Sequence, residues 1–220
     1  MKIDRREFIK IAGAAGVAAA TGGWVEPVRA ADPQARRSGK SAAGLTAPRL
    51  DRVRVGFIGV GARGGGHVAQ MLMLDGVDVV AIADPHLPSA QAAAKRCADK
   101  GRQAPVLYTN GDLDYQKMLA RSDVDIVLIS TPWEWHVRQA VEAMKAGKHA
   151  FIEVPAAITV EGCWQLVDTA EETQRHCMMM ENVNYGREEL MVLNMCRLGV
   201  FGELLHGEAA YIHDLRWQMK

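Results

Sequence analysis

Residues 53–64 read VRVGFIGVGARG: an apolar run that stops at glycines, with Gly59, Gly61 and Gly64 fitting the pattern G-x-G-x-x-G. The pattern alone is weak. Directly after a strand and at the opening of a helix it has a mechanism. Gly59 allows the tight turn, Gly61 the close approach of a pyrophosphate, and Gly64 the packing of helix against strand. The helix start adds free N–H groups and a partial positive charge. A second apolar run, VDVVAIA over 77–83, ends at Asp84, 20 residues beyond Gly64. A carboxylate there can accept both ribose hydroxyls of an adenosine and repels a 2′-phosphate, which favours NAD over NADP. A glycine-rich turn that holds no ligand is the plainer alternative. Strand, helix and spaced acid together outweigh it.

Outward from this loop the chain alternates. Strands are expected over 53–59, 77–83, 106–108, 124–130, 149–153 and 177–180. Helices are expected over 64–74, 89–100, 112–120, 133–146 and 159–173, with Thr159 as N-cap of the last and Gly147 ending the one before. Continuous apolar strands alternating with helices indicate βαβ units and a parallel sheet buried on both faces. The fold class is therefore α/β with a doubly wound, Rossmann-type parallel sheet over 51–182. From 183 the alternation stops. A helix over 187–198, a turn and a strand over 204–213 read as the start of a second, α+β domain that is incomplete at 220.

The first thirty residues read as an address. Arg5 and Arg6 precede Phe8 and Lys10, a small and apolar run follows from Ile11 to Trp24, and Val28-Arg29-Ala30 offers small residues for cleavage. The paired arginines resemble a twin-arginine signal, which implies export to the periplasm or cell exterior. The run is too short and too rich in Gly and Ala to span a bilayer, so no membrane partner is expected once it is removed. Residues 31–50 read as a linker. Lys plus Arg number 26 and Asp plus Glu 26, so the net charge is zero, which argues against nucleic acid as a partner. The four cysteines form no C-x-x-C, no H-E-x-x-H occurs, and no metal site is expected.

Three further segments fall at carboxyl ends of predicted strands, the edge where such sheets bind ligands. Thr131-Pro132-Trp133-Glu134-Trp135-His136 offers indole faces and an imidazole that could donate to a cofactor ring. Its plainer reading is two tryptophans covering a helix start beside a satisfied histidine. Glu153-Val154-Pro155 ends the fifth strand, where Glu153 is either a site carboxylate or a solvated charge. Asn182 follows the last strand of the series.

Together the glycine loop, Asp84, Thr131-Pro132 and the Glu-x-Pro turn resemble the Gfo/Idh/MocA oxidoreductase family. That family usually carries a catalytic lysine where this chain has Val154. VGFIGVGARGGGHV, TPWEWH, EVPAA and ENVNYGREELMVLNM resemble, more narrowly, glycoside hydrolase family 109. The resemblance implies an NAD-dependent glycosidase acting on an α-N-acetylgalactosaminide, a glycoside of an N-acetylhexosamine. It proceeds by oxidation at C3, elimination, addition of water and re-reduction, with NAD retained. The resemblance places Ala62, Arg63, Asp84, Trp133, Glu134, Trp135, His136, Glu153, Val154 and Asn182 against NAD and Tyr211 against substrate. It names no catalytic base, though Glu153 is close enough to be considered, and it accommodates a homo-oligomer. The family chain is about twice as long, which puts further substrate contacts beyond Lys220. A sugar or polyol dehydrogenase of the same superfamily and an inactive nucleotide-binding remnant are the competing readings.

Overall fold

The computed structural model describes residues 40–210 together with 212, 214 and 216. The signal over 1–30, most of the linker and Tyr211 lie outside the described residues. Six strands form one parallel sheet: β1 (Val53–Ile58), β2 (Val77–Ala83), β3 (Val106–Tyr108), β4 (Ile126–Ile129), β5 (His149–Ile152) and β6 (Cys177–Met179). Their order is β3-β2-β1-β4-β5-β6, so the winding reverses between β1 and β4. Ligands of doubly wound sheets bind above such a reversal, at the carboxyl ends of the strands.

Helices α1 (Ala62–Met71), α2 (Leu87–Asp99), α3 (Tyr115–Leu119), α4 (Trp133–Lys145) and α5 (Val160–Thr173) cover the two faces. Successive side chains of a strand point to opposite faces. Val55 and Phe57 of β1 therefore join one core layer, with Val79, Ile82, Leu128, Val68 of α1 and Ala93 of α2. Ile58 joins the other, with Ile129, Ile152, Met118 of α3, Met144 of α4 and Leu166 of α5. Truncating one of these, such as Ile129→Ala, costs roughly 2–5 kcal/mol. The Thr159 hydroxyl caps α5 by accepting from Gly162 N at 3.0 Å. Past the end of α4, Gly147 has a φ of +81°, open to glycine at little cost.

Element ends move by a few residues. Helix α1 starts two residues earlier than expected, because Gly61 already stands as its N-cap. Helix α3 is confined to five residues, its end capped through Ala120 N. Among the described residues the expected strand over 204–213 is not found: residues 204–210 have no regular structure and are exposed. A strand needs a neighbour for its backbone groups, and no described residue supplies one there. Helix α6 (Arg187–Arg197) forms but buries none of its residues. Leu205 and Ile212 are almost fully exposed. Among the described residues no helix is long and apolar enough to cross a membrane.

Candidate functional site

The strand register builds the site. Ala83, Ile58, Ile129 and Ile152 are paired partners across β2, β1, β4 and β5. The next residue on each strand completes a row along the carboxyl edge: Asp84, Gly59, Ser130 and Glu153. Backbone bonds hold this row, with Gly59 N donating to Ala83 O, Ser130 N to Ile58 O and Glu153 N to Ile129 O. Four residues far apart in sequence thus stand side by side over three inter-strand steps, about 14 Å.

The three glycines of the loop meet three different surroundings. Gly59 has a φ of +81°, and a Cβ there would lie 2.7 Å from Ser130 O. A Cβ on Gly64 would run into the Gly59 carbonyl oxygen, so helix and strand touch backbone to backbone. A Cβ on Gly61 would meet nothing within 4 Å; the position opens onto the cleft. No side chain caps the start of α1 and no acid stands in its first turn, so its N–H groups are left for an anion.

Asp84 is buried at the head of the row. Its Oδ2 accepts from Val60 N and its Oδ1 from His86 N, each at 2.8 Å. The carboxylate pins the glycine loop to the end of β2, and each oxygen keeps a lone pair for a ribose hydroxyl. Between these points lies a cleft of about 290 Å³, walled by Ile58, Pro132 and Trp135. Ser130 lines it, and its hydroxyl is buried without a hydrogen-bond partner. Open glycine and uncapped helix start fit a dinucleotide.

The Trp133–His136 segment forms the first turn of α4. Trp133 and Glu134 are exposed, and Trp135 lies under the Arg138 guanidinium, 5.5 Å from ring centre. His136 is fully buried. Its Nδ1 lies 2.8 Å from Pro155 O and its Nε2 2.8 Å from Thr131 O. An N–H on either nitrogen therefore points to a backbone carbonyl, and the expected donation from His136 to a cofactor ring has no ring nitrogen left. The residue ties the loops after β4 and β5 together. Nearby, burial and the Glu142 carboxylate push the Tyr115 hydroxyl up to about 12.

Glu153 closes the row. Its Oε2 accepts from Val154 N at 3.0 Å, and its Oε1 lies 2.6 Å from Nε2 of His67 and 3.3 Å from Nε of Arg63. His67 was not among the expected site residues. The signal was present, since Arg63 and His67 are four apart and share a helix face. Ala62 is the exposed first residue of α1. Val154 is half-exposed and precedes a cis Pro155. Asn182 is exposed three residues past β6, outside the lining of the cleft. Among the described residues, no three His, Cys, Asp or Glu side chains gather to hold a metal.

Sheet order, glycine loop and acid row define an NAD-binding Rossmann domain of an oxidoreductase. Residues 53–181 match the oxidoreductase family with an NAD-binding Rossmann fold, and the chain belongs to that Gfo/Idh/MocA family; its cofactor is NAD. Residues 185–220 match the C-terminal domain of glycosyl hydrolase 109, and residues 2–22 the signal sequence of the twin-arginine translocation pathway. A glycosyl hydrolase family 109 protein of Shewanella sp. (strain W3-18-1) is 58% identical over 219 residues, covering 99% of this chain and 48% of its own. One from Shewanella baltica (strain OS185) matches equally. The chain thus spans about half the length of the curated relatives it matches. Among solved structures, an NAD-binding protein from Listeria innocua is 28% identical with a TM-score of 0.56, over 69% of this chain and 42% of that one. The WlbA dehydrogenase from Bordetella pertussis, in complex with NADH and UDP-GlcNAcA, is 24% identical with a TM-score of 0.57, over 69% and 43%. This last likeness is one of fold.

Proposed function

We propose that this chain is the cofactor-binding part of an exported, NAD-dependent glycosidase of family 109 that acts on α-N-acetylgalactosaminides. The observation that carries the proposal is the pairing of an NAD-binding Rossmann domain with the opening of a glycosyl hydrolase 109 C-terminal domain in one chain. The 58% identity to proteins of that name supports it. The twin-arginine signal supports export of a folded protein to the periplasm or beyond.

When bound, NAD supplies reversible two-electron oxidation at C3 of the sugar, which acidifies the C2 proton, lets the group at C1 leave and is undone after water adds. The chain's own residues bind and orient. Gly61 and the start of α1, with Ala62 and Arg63, receive the pyrophosphate. Asp84 takes the adenosine ribose and excludes a 2′-phosphate. Trp135 gives an apolar wall that keeps water out. Trp133, Glu134, Val154 and Asn182 are proposed as further contacts of the cofactor by resemblance to the family, and Tyr211 is the residue proposed to meet the sugar.

The test joins this chain to the remaining half that the Shewanella relatives possess. Release of p-nitrophenol from p-nitrophenyl α-N-acetylgalactosaminide, with no build-up of free NADH, is expected. NADH formed one for one with sugar consumed, and no phenol released, would show a dehydrogenase instead.

A further inference from the structure

Glu153 ends the row along the carboxyl edge, and His67 lies against it. The two form a pair that the fold does not require. They are 86 residues apart in sequence and meet at 2.6 Å. Their side chains are 14% and 11% exposed, so both are largely out of water. Removing two polar groups from water returns little net stability. Buried ionisable pairs at the ligand-binding edge of a sheet are instead candidates for function.

The row shows which part of the cofactor Glu153 faces. Asp84 stands at its β2 end, the pyrophosphate loop at β1, and Glu153 at its β5 end. A dinucleotide with its adenosine at Asp84 and its phosphates at Gly61 carries its nicotinamide toward β5. That ring is a cation when oxidised and neutral when reduced. A carboxylate fixed beside it distinguishes the two forms, provided it is held in place. Val154 N holds Oε2, and His67 Nε2 holds Oε1. His67 is itself steadied by the Gln70 amide, 3.1 Å from Nδ1, which donates to that nitrogen when its NH₂ is turned toward it. Arg63 also faces Glu153, but its side chain is 63% exposed, so water screens its charge.

We propose that His67 is a positioning residue that holds the Glu153 carboxylate at the β5 end of the row, where the nicotinamide of the bound cofactor would lie and the site would prefer NAD⁺ over NADH. This rests on the cofactor placement of the proposed function. The consequence is a protein that keeps its cofactor in the oxidised form, ready for the first step.

The experiment measures dissociation constants of NAD⁺ and NADH for the 220-residue chain and its variants, from quenching of tryptophan fluorescence at pH 8.5. Glu153→Gln should lower the preference for NAD⁺ about tenfold, a conservative share of the attraction between unit charges ~6 Å apart at an effective dielectric of ~20. His67→Ala should lower it several-fold, and His67→Gln, whose amide N–H stands where Nε2 does, should restore it. The double variant Glu153→Gln/His67→Ala should fall no further than Glu153→Gln alone. A purely structural His67 would weaken both forms equally and leave the ratio unchanged, and that result overturns the proposal. An unchanged ratio in Glu153→Gln overturns it as well. If the wild-type chain binds neither form, the cofactor placement fails first and this inference with it.

Discussion

Replacing Asp84 with alanine tests the cofactor site most directly. The carboxylate is 8% exposed and receives two backbone N–H groups at 2.8 Å, one from the glycine loop. Its loss removes the ribose acceptor, worth roughly 1.5–3 kcal/mol for hydrogen bonds to a charged group, so NAD should bind about 10- to 150-fold more weakly. NADP behaves differently. A 2′-phosphate ~5 Å from the carboxylate is repelled by about 3 kcal/mol per charge pair at an effective dielectric of ~20. The wild-type chain should therefore bind NADP at least 100-fold more weakly than NAD, and Asp84→Ala should narrow that gap to less than tenfold. The same change strands the N–H groups of Val60 and His86, so the melting temperature should fall too. Calorimetric titration of both dinucleotides at fixed ionic strength, beside a thermal melt, separates the effects. If Asp84→Ala weakens NAD and NADP by one common factor, the carboxylate only shapes the loop and the reasoning about charge fails.

Other outcomes follow from single positions. Gly61→Ala should leave the melting temperature in place yet abolish most NAD binding, because its Cβ meets no protein atom but enters the cleft. Gly64→Ala should unfold the domain several degrees earlier in a thermal melt, because its Cβ meets the Gly59 carbonyl. His149 accepts from His176 N through Nδ1, and burial, with the neighbouring His176, lowers its pKa. The unfolded chain binds that proton more readily, so stability is full above about pH 6.5 and declines as the pH falls below it. His149→Asn, which keeps an acceptor without titrating, should flatten urea midpoints measured across that window. Changing Arg5 and Arg6 to lysine should hold the precursor in the cytoplasm, as read by fractionation; unchanged export would remove the twin-arginine route.

Much of the Rossmann domain was legible in the sequence because its signals are local. Apolar runs of strand length, helical spacing, Thr159 as a cap and Gly147 as a stop each depend on a few neighbouring residues. The motif of Gly59, Gly61 and Gly64 also carried its own explanation, since turn, approach and packing are demands on single backbone positions. The strand expected over 204–213 rested on the same kind of local pattern. It is absent among the described residues because a strand also needs a partner edge, which no local pattern supplies. His136 shows the same limit: its place after Thr131-Pro132 was readable, but the capture of both ring nitrogens by carbonyls was not.

The chain's residues by themselves determined that an NAD-binding, parallel α/β domain follows an export signal, and that Asp84 lies at the ligand edge. Only the tertiary structure decided that Asp84, Gly59, Ser130 and Glu153 form one row, that the Ser130 hydroxyl is buried without a partner, and that His67 faces Glu153. Spacing along a chain reports which residues share a helix face or end a strand. Which of those ends become neighbours is set by strand order and register, and these follow from how the whole sheet buries its two apolar faces.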